Sequence, residues 1–459
     1  MNYIIQSGRP LVAAIFFTMM HVFSPAQAAT APEPGEASLA ALSLELRALR
    51  NDPVRALASL AVVAIREGRT VYAGHFGDRV IDSAAPGNNL PIDAQTLYRV
   101  ASISKLVTAI GAMQLVEQHK LDLDADVSQY LGFTLRNPDF PDALISARML
   151  LNHTSSLRDE GGYSFPIGQS LQSVLVPTGA NYGSGRQWAQ KSSLSDRAPG
   201  QYFDYVNLNW GVLGTVIEAV SGQRFDHYMR QAVLGPMHIA GGFNPEDFSR
   251  NEIQNLAVLY RKRTHEIWEP GGPWVAQVDD YRGQLPAPRA GIAAYSPGQN
   301  ATPFSPQGGL RISAGGLAKL MLMLINGGEV EGIRLLSPAS VNAMLHEEWR
   351  HAKGQENGNN DRGLFNAWGL GVQKFLDLSA PQRGDRFVAA GSVTGFGHLG
   401  FAYGLQSAFI LDPVKRFGLI YLCSGVGFDP EMDAGRYSSL NSWEEKVLDA
   451  LYRRAILGQ

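Results

Sequence analysis

The sequence predicts an α+β fold in which both ends of the chain enter one antiparallel β-sheet flanked by helices. Two observations carry this. Apolar, β-branched runs broken by short turn signals occur near both termini, at 57–76 and at 405–423. Each lies beside a segment of helical character, 37–49 before the first and a stretch opening at Ser442 after the second. Hairpins at both ends, each with a helix beside it, combine most simply into one helix-covered sheet.

The elements follow in chain order. Arg9 precedes an apolar run, 11–23, and Ala26-Gln27-Ala28 offers a small-x-small cleavage site, which reads as a secretory signal peptide over 1–28 cut after Ala28. The run is shorter than the ~20 residues of a spanning helix, and no cysteine near the cut could carry a lipid. The expectation is a periplasmic or secreted protein with no stable membrane anchor. The periodicity of 37–49 predicts a helix, and 57–65 and 70–76 predict strands around the turn Glu67-Gly68-Arg69. A helix is expected from Ser102 to about Gln118, and another over 207–220, with Trp210, Leu213, Val216, Ile217 and Val220 on one face and Gly222 as its stop. The segments 156–200, rich in Gly, Ser and Gln, and 269–305, rich in Pro and Gly, are long loops that read either as cleft walls or as surface insertions. Strands at 405–411 and 416–423 flank Asp412-Pro413, and Ser442-Trp443-Glu444-Glu445 has capping-box form.

Composition narrows the function. The 459 residues carry mixed charges and a net charge of −3, with no basic tract of the kind that binds nucleic acid or an anionic membrane. The one cysteine, Cys423, can form no internal disulfide and sits in an apolar run that reads as a buried strand. His346 and His351 are five apart, which does not fit the zinc spacing His-Glu-x-x-His. No phosphate loop or dinucleotide fingerprint occurs, so neither a metal nor a cofactor is expected.

Three short motifs carry chemistry. Ser102-Ile103-Ser104-Lys105 opens an apolar helical pattern, so Ser102 and Lys105 share one helix face at an N-terminus that favours negative charge. Taken alone, the tetrapeptide also fits a capped surface helix. Tyr205-Val206-Asn207 follows a Gly-rich loop, and His398-Leu399-Gly400 precedes a strand-like run. The order Ser-x-x-Lys, Tyr-x-Asn, His-x-Gly resembles the serine β-lactamase and penicillin-binding-protein superfamily. The tyrosine points to its class C β-lactamase-like branch, which includes D-aminopeptidases, D-alanyl-D-alanine carboxypeptidases and family VIII esterases. Leu150-Leu151-Asn152-His153-Thr154-Ser155-Ser156-Leu157 and Gly308-Gly309-Leu310-Arg311-Ile312-Ser313-Ala314 resemble two further segments of that branch, and the likeness runs from about 57 to 455.

The resemblance implies a sheet domain assembled from 29–131 and 305–459, with a mainly helical domain inserted over 132–304. It implies a Ser102 acyl-enzyme activated jointly by Lys105 and Tyr205, with the choice of general base between them open. Asn207 would bind the substrate's amide or ester side chain, and the N–H groups of Ser102 and Phe401 would form the oxyanion hole. Gly400 would admit the substrate backbone. His398 stands where many true β-lactamases carry a lysine that holds a substrate carboxylate. It would supply that charge only below a pKa near ~6.5. His153 could bear on catalysis or support the nucleophile helix. The expected activity is hydrolysis of an amide or ester, such as a D-amino-acid peptide. The alternatives are a small-ester esterase, a class C-like β-lactamase and a penicillin-binding sensor that acylates without turnover. The partner is a small-molecule or peptide substrate, and the sequence leaves the oligomeric state open.

Overall fold

The protein is described by a computed structural model over residues 34–191, 197–264, 267–354 and 356–459; the segment 1–28, expected to be a signal peptide, lies outside these described residues. Among them, the main sheet has nine strands, and all their pairings are antiparallel. The expected joining of the two chain ends occurs at its centre. Ser59–Arg66 pairs on one side with Arg69–Val80 and on the other with Phe417–Cys423, in the register Leu60↔Cys423 and Val62↔Tyr421. Phe417–Cys423 pairs in turn with Leu405–Asp412, and that strand with Gly395–Ala402.

The central strands read as continuous apolar runs because both faces are covered, one by the terminal helices and one by the interior helices. Leu60, Val62, Ala64, Leu419 and Tyr421 pack with Leu42 and Leu46 of the helix Glu36–Arg50 and with Val447 and Leu448 of the helix Ser442–Leu451. Their alternates Ala61, Val63, Ile65, Ile420 and Leu422 pack with Leu317, Leu320 and Met321 of Ala314–Ile325 and with Leu106 and Ile110 of Ile103–Glu117. Strand alternation thus feeds two cores at once. Cys423 is fully buried in its strand, where burial pushes the thiol pKa up to about 12.

Local chemistry sets the turns. Glu67 and Gly68 both have left-handed φ, 52° and 73°, and close a two-residue hairpin of the primed type that matches the strand twist. Asp412 accepts from the N–H groups of Val414 and Lys415 and so shapes the Asp412-Pro413 turn. The capping box expected at Ser442 is shifted by one residue: Asn441 is the N-cap and Glu444 reaches back to its N–H. Ser442 instead donates to Asp433 at 2.6 Å, and Glu445 accepts from the backbone of Arg436 and Tyr437. His346 follows the end of the helix Pro338–Leu345 and His351 follows the strand Trp349–Arg350, so the two histidines do not share a helix. No helix among the described residues is long and apolar enough to cross a membrane.

Candidate active site

The helix Ile103–Glu117 is buried along almost its whole length, and Ser102 stands at its N-terminal end. The residue before it, Ala101, has φ 46°. An alanine in the left-handed region costs roughly 1 kcal/mol. The strain turns the chain sharply between the strand Tyr98–Arg99 and the helix and leaves the Ser102 side chain at the floor of a cleft of about 860 Å³. Ser102, Tyr205, Asn207, His398, Gly400 and Phe401 all line that cleft.

Lys105 is fully buried beneath it. Its Nζ lies 3.0 Å from Ser102 Oγ, 2.8 Å from Asn207 Oδ1 and 3.2 Å from the carbonyl oxygen of Gln307. Two of these partners can only accept. The orientation of Asn207 is fixed because its Nδ2 faces the Asp159 carboxylate at 2.9 Å. A neutral Lys105 therefore spends its two hydrogens on Asn207 and Gln307 and directs its lone pair at Ser102 Oγ. Burial lowers the Lys105 pKa to about 7, against a smaller opposing pull from Asp159, so the neutral amine is well populated near neutrality.

Tyr205 is held between two rings. His153 stacks on one side with centroids 4.6 Å apart, and Phe365 on the other at 5.0 Å. Trp368 meets its edge at 5.7 Å. Burial raises the pKa of its hydroxyl well above the usual phenol value, against a smaller lowering from the neighbouring Ser102, so the hydroxyl stays protonated. Lys105 Nζ sits 4.8 Å from the centre of the Tyr205 ring. The buried His153 accepts from the N–H of Val206 at Nδ1, 3.0 Å, and fixes the backbone between Tyr205 and Asn207.

Sequence reasoning missed Asp159 and the Gln307 carbonyl. Asp159 accepts from the backbone N–H groups of Asn207 and Leu208 and from the Asn207 amide, each at 2.9 Å. It thus caps the helix Leu208–Ser221 from outside and holds Asn207 against Lys105. In sequence it is one acid in a polar loop, and nothing local marks it. Gln307 adjoins the Gly308-Gly309-Leu310 segment, and that likeness was the available signal.

The strand Gly395–Ala402 forms the opposite wall. Its pairing with Gln373–Phe375 covers only Gly395 to Gly397, so beyond that point the edge bordering the cleft has no strand partner among the described residues. A Cβ on Gly400 would meet Ser407 Oγ at 2.4 Å and the Val100 carbonyl oxygen at 2.6 Å. The close approach at Gly400 is thus between this strand and the segment leading to the nucleophile. The Phe401 side chain is 58 % exposed at the cleft.

His398 keeps the near-neutral state expected at pH 7 and extends it to lower pH. It is buried, and desolvation followed by the nearby Lys105 lowers its pKa to about 3. Nδ1 lies 2.6 Å from the Leu399 carbonyl oxygen, so Nδ1 carries the proton, and Nε2 has no partner. A neutral imidazole cannot replace a carboxylate-holding lysine, at pH 6 or at pH 8.

The family model described as Beta-lactamase matches residues 47–441. The Escherichia coli (strain K12) protein named "Putative D-alanyl-D-alanine carboxypeptidase" is 25% identical over 304 residues, covering 62% of this chain and 63% of that protein. The chain therefore spans less than two thirds of that relative's length. Among solved structures, EstCE1, described as a hydrolase with promiscuous acyltransferase activity, superposes with TM-score 0.58 at 22% identity over 91% of this chain and 99% of its own. The D-amino acid amidase from Ochrobactrum anthropi SV3, complexed with D-phenylalanine, gives TM-score 0.59 at 18% identity over 91% and 98%. The shared fold is the α+β arrangement described above.

Proposed function

The chain belongs to the Beta-lactamase family, and from that premise we propose that it is a serine hydrolase working through an acyl-enzyme at Ser102. The observation that carries this is the Ser102–Lys105 contact at 3.0 Å, with the other two partners of Lys105 able only to accept. Ser102 Oγ attacks the substrate carbonyl carbon as its proton passes to the Lys105 lone pair. The Tyr205 hydroxyl, on the same cleft beside Ser102 and Lys105, relays that proton to the departing nitrogen or oxygen. Water then attacks the Ser102 ester carbon as its proton passes to the same base; the carbon–Oγ bond breaks, Ser102 Oγ takes that proton back from Lys105, and the acid is freed. The N–H groups of Ser102 and Phe401 hold the developing oxyanion, a contribution worth ~10²–10³ in rate per donor. The base is Lys105, because two accept-only partners leave its lone pair facing Ser102, and burial acts in the same sense by lowering its pKa to about 7 while raising that of Tyr205.

The substrate is an amide or ester, with a D-amino-acid peptide as the favoured class. The names of the carboxypeptidase relative and the amidase neighbour support that choice. A neutral His398 disfavours efficient turnover of β-lactams that depend on a carboxylate contact at this position. The enzyme acts outside the cytoplasm after removal of 1–28, a reading supported by the apolar run and Ala26-Gln27-Ala28.

Two measurements test the chemistry and a third tests export. A fluorophosphonate should add mass to the peptide containing Ser102 and not to the Ser102→Ala protein; persistent labelling of that variant rejects the assignment. Turnover of p-nitrophenyl esters, D-Ala p-nitroanilide, D-Ala-D-Ala peptides and nitrocefin should be continuous for the first three classes, whereas a stoichiometric burst that then stops would indicate a sensor. Protein recovered from the cell envelope should begin at Ala29, and a retained leader would overturn the export reading.

A further inference from the structure

Arg99 and Arg311 stand directly opposite each other across the antiparallel pair Tyr98–Arg99 and Arg311–Ile312. Like charges facing across a ladder are destabilising, and the two arginines resolve this differently. Arg311 is buried and bound in a two-pronged pair with Asp279, at 2.7 and 3.1 Å. Arg99 has no carboxylate within ion-pair distance among the described residues. Its Nε donates to the Gly308 carbonyl oxygen at 3.0 Å, and its guanidinium carbon lies 4.9 Å from the centre of the Tyr403 ring. The outer nitrogens of the fork are thus left without a protein acceptor among the described residues, and Arg99 lines the same cleft as Ser102.

Tyr163 and Tyr403 stand beside it on the cleft wall, 39 % and 45 % exposed. Of the charged and titratable groups that face Arg99, Arg311 repels it, Asp279 is already matched, and Tyr281 and Tyr403 are phenols. Burial lowers the Arg99 pKa to about 10, so the group is cationic at neutral pH. A planar, half-desolvated cation with its fork free in a reaction cleft suits a carboxylate, which it can meet with two parallel hydrogen bonds.

We propose that Arg99 is the anion subsite of the cleft and that preferred substrates carry a carboxylate away from the scissile carbonyl. The charge that a lysine would supply in the third motif is thereby supplied from the first, three residues before the nucleophile. This rests on the acyl-enzyme reading of Ser102. The carboxylate could belong to the acyl part or to the leaving group, and the substrates below separate the two.

The test compares matched esters. On the acyl side, mono-p-nitrophenyl succinate is set against the near-isosteric neutral p-nitrophenyl 4-methylpentanoate. On the leaving side, 4-acetoxybenzoate is set against 4-acetoxybenzamide. In one pair the acid-to-neutral ratio of kcat/KM should fall by about tenfold or more in Arg99→Gln, be partly kept in Arg99→Lys, and shrink in wild type as ionic strength rises from about 0.05 to about 0.5 M. If Arg99→Gln changes acid and neutral members equally in both pairs, the proposal is wrong. Absence of turnover with every ester would count against the hydrolase reading instead. In that case calorimetry on Ser102→Ala decides the subsite. N-butylsuccinamate is set against N-butyl-4-methylpentanamide for the acyl side, and 4-acetamidobenzoate against 4-acetamidobenzamide for the leaving side; in one pair the acid should bind more tightly, and the difference should vanish when Arg99→Gln is added. Equal binding within both pairs overturns the proposal, as does a preference that survives the added substitution. Should Arg99→Gln melt far below wild type, Arg99→Lys and the salt series on the unaltered protein decide the question: an acid-to-neutral ratio unmoved by either overturns the subsite.

Discussion

His153 and His398 both meet the indole of Trp368 edge-on, at 5.1 and 5.5 Å, and hold their protons on opposite nitrogens. His153 Nδ1 accepts from the Val206 N–H, so its proton is on Nε2; His398 Nδ1 faces a carbonyl, so its proton is on Nδ1. Neither ring is charged in the folded protein near neutrality, since burial lowers both pKa values. Their lowered pKa values make both imidazoles weak bases, so neither competes with Lys105 for the proton of Ser102.

This sets the expected titration. The His398 ring resonances should stay constant from pH 8 to pH 5, with nitrogen shifts of the Nδ1–H tautomer. KM for anionic substrates should show no step near ~6.5 attributable to this residue. The unfolded chain binds the proton that the folded chain refuses, so stability should fall as pH drops below ~6.5 towards the folded value of about 3. Urea midpoints for His398→Gln should show a shallower acid slope, with His153 accounting for part of what remains. A ring that titrates at pH 6–7 would return His398 to the charge-reading role.

Lys105→Ala and Tyr205→Phe should each slow acylation of Ser102 by orders of magnitude. The double variant should lose far less than the product of the two, because Lys105 and Tyr205 stand against each other beside the same serine and act as a unit. Stopped-flow acylation rates decide it, and multiplicative losses would mean independent roles.

Asp159→Asn should move the acidic limb of kcat/KM to lower pH. The negative charge of Asp159 holds the Lys105 pKa up, so removing it lets that pKa drop further below about 7 and populates the neutral base at more acidic pH. The plateau rate should nevertheless fall, because Asn207 loses its charged anchor. Loss of the carboxylate at the start of Leu208–Ser221 should also cost ~1–2 kcal/mol in denaturant unfolding. A limb that moves upward would exclude Lys105 as the base.

Gly400→Ala should fold with a loss of ~1–3 kcal/mol and lose most activity, since its methyl group would press on Ser407 and on the Val100 carbonyl. Thermal melts and ester turnover measured together check this. Full activity would show that the strand can move away from Ser102 without consequence.

How much of this was legible in the sequence depended on how local the cause was. The hairpins, the helix after Ser102 and the stop at Gly222 follow from period and turn chemistry, and they are where the pattern placed them. The C-terminal cap was ambiguous because Asn441 with Glu444 and Ser442 with Glu445 satisfy the same rule one residue apart. Distant partners, Asp433 for Ser442 and the 436–438 loop for Glu445, chose the register. Asp159, the left-handed Ala101 and the Arg99–Arg311 opposition left no trace in the pattern, since each acquires its role only from chain brought in by folding. How far below neutrality His398 stays uncharged was not legible either, because burial is a property of the packed state.

The pairing of Leu60 with Cys423 also has a consequence for biosynthesis. The strand that leads towards the nucleophile cannot find its central partner until about 360 further residues have been made, roughly 20–70 s at ordinary translation rates. Over that interval Ser59–Arg66 has only its hairpin neighbour, and its other edge is open to mispairing. Such non-local closure folds slowly. A nascent chain of this design is held unfinished by its own topology, and premature termination before the last hairpin yields a polypeptide with neither a sheet nor a site.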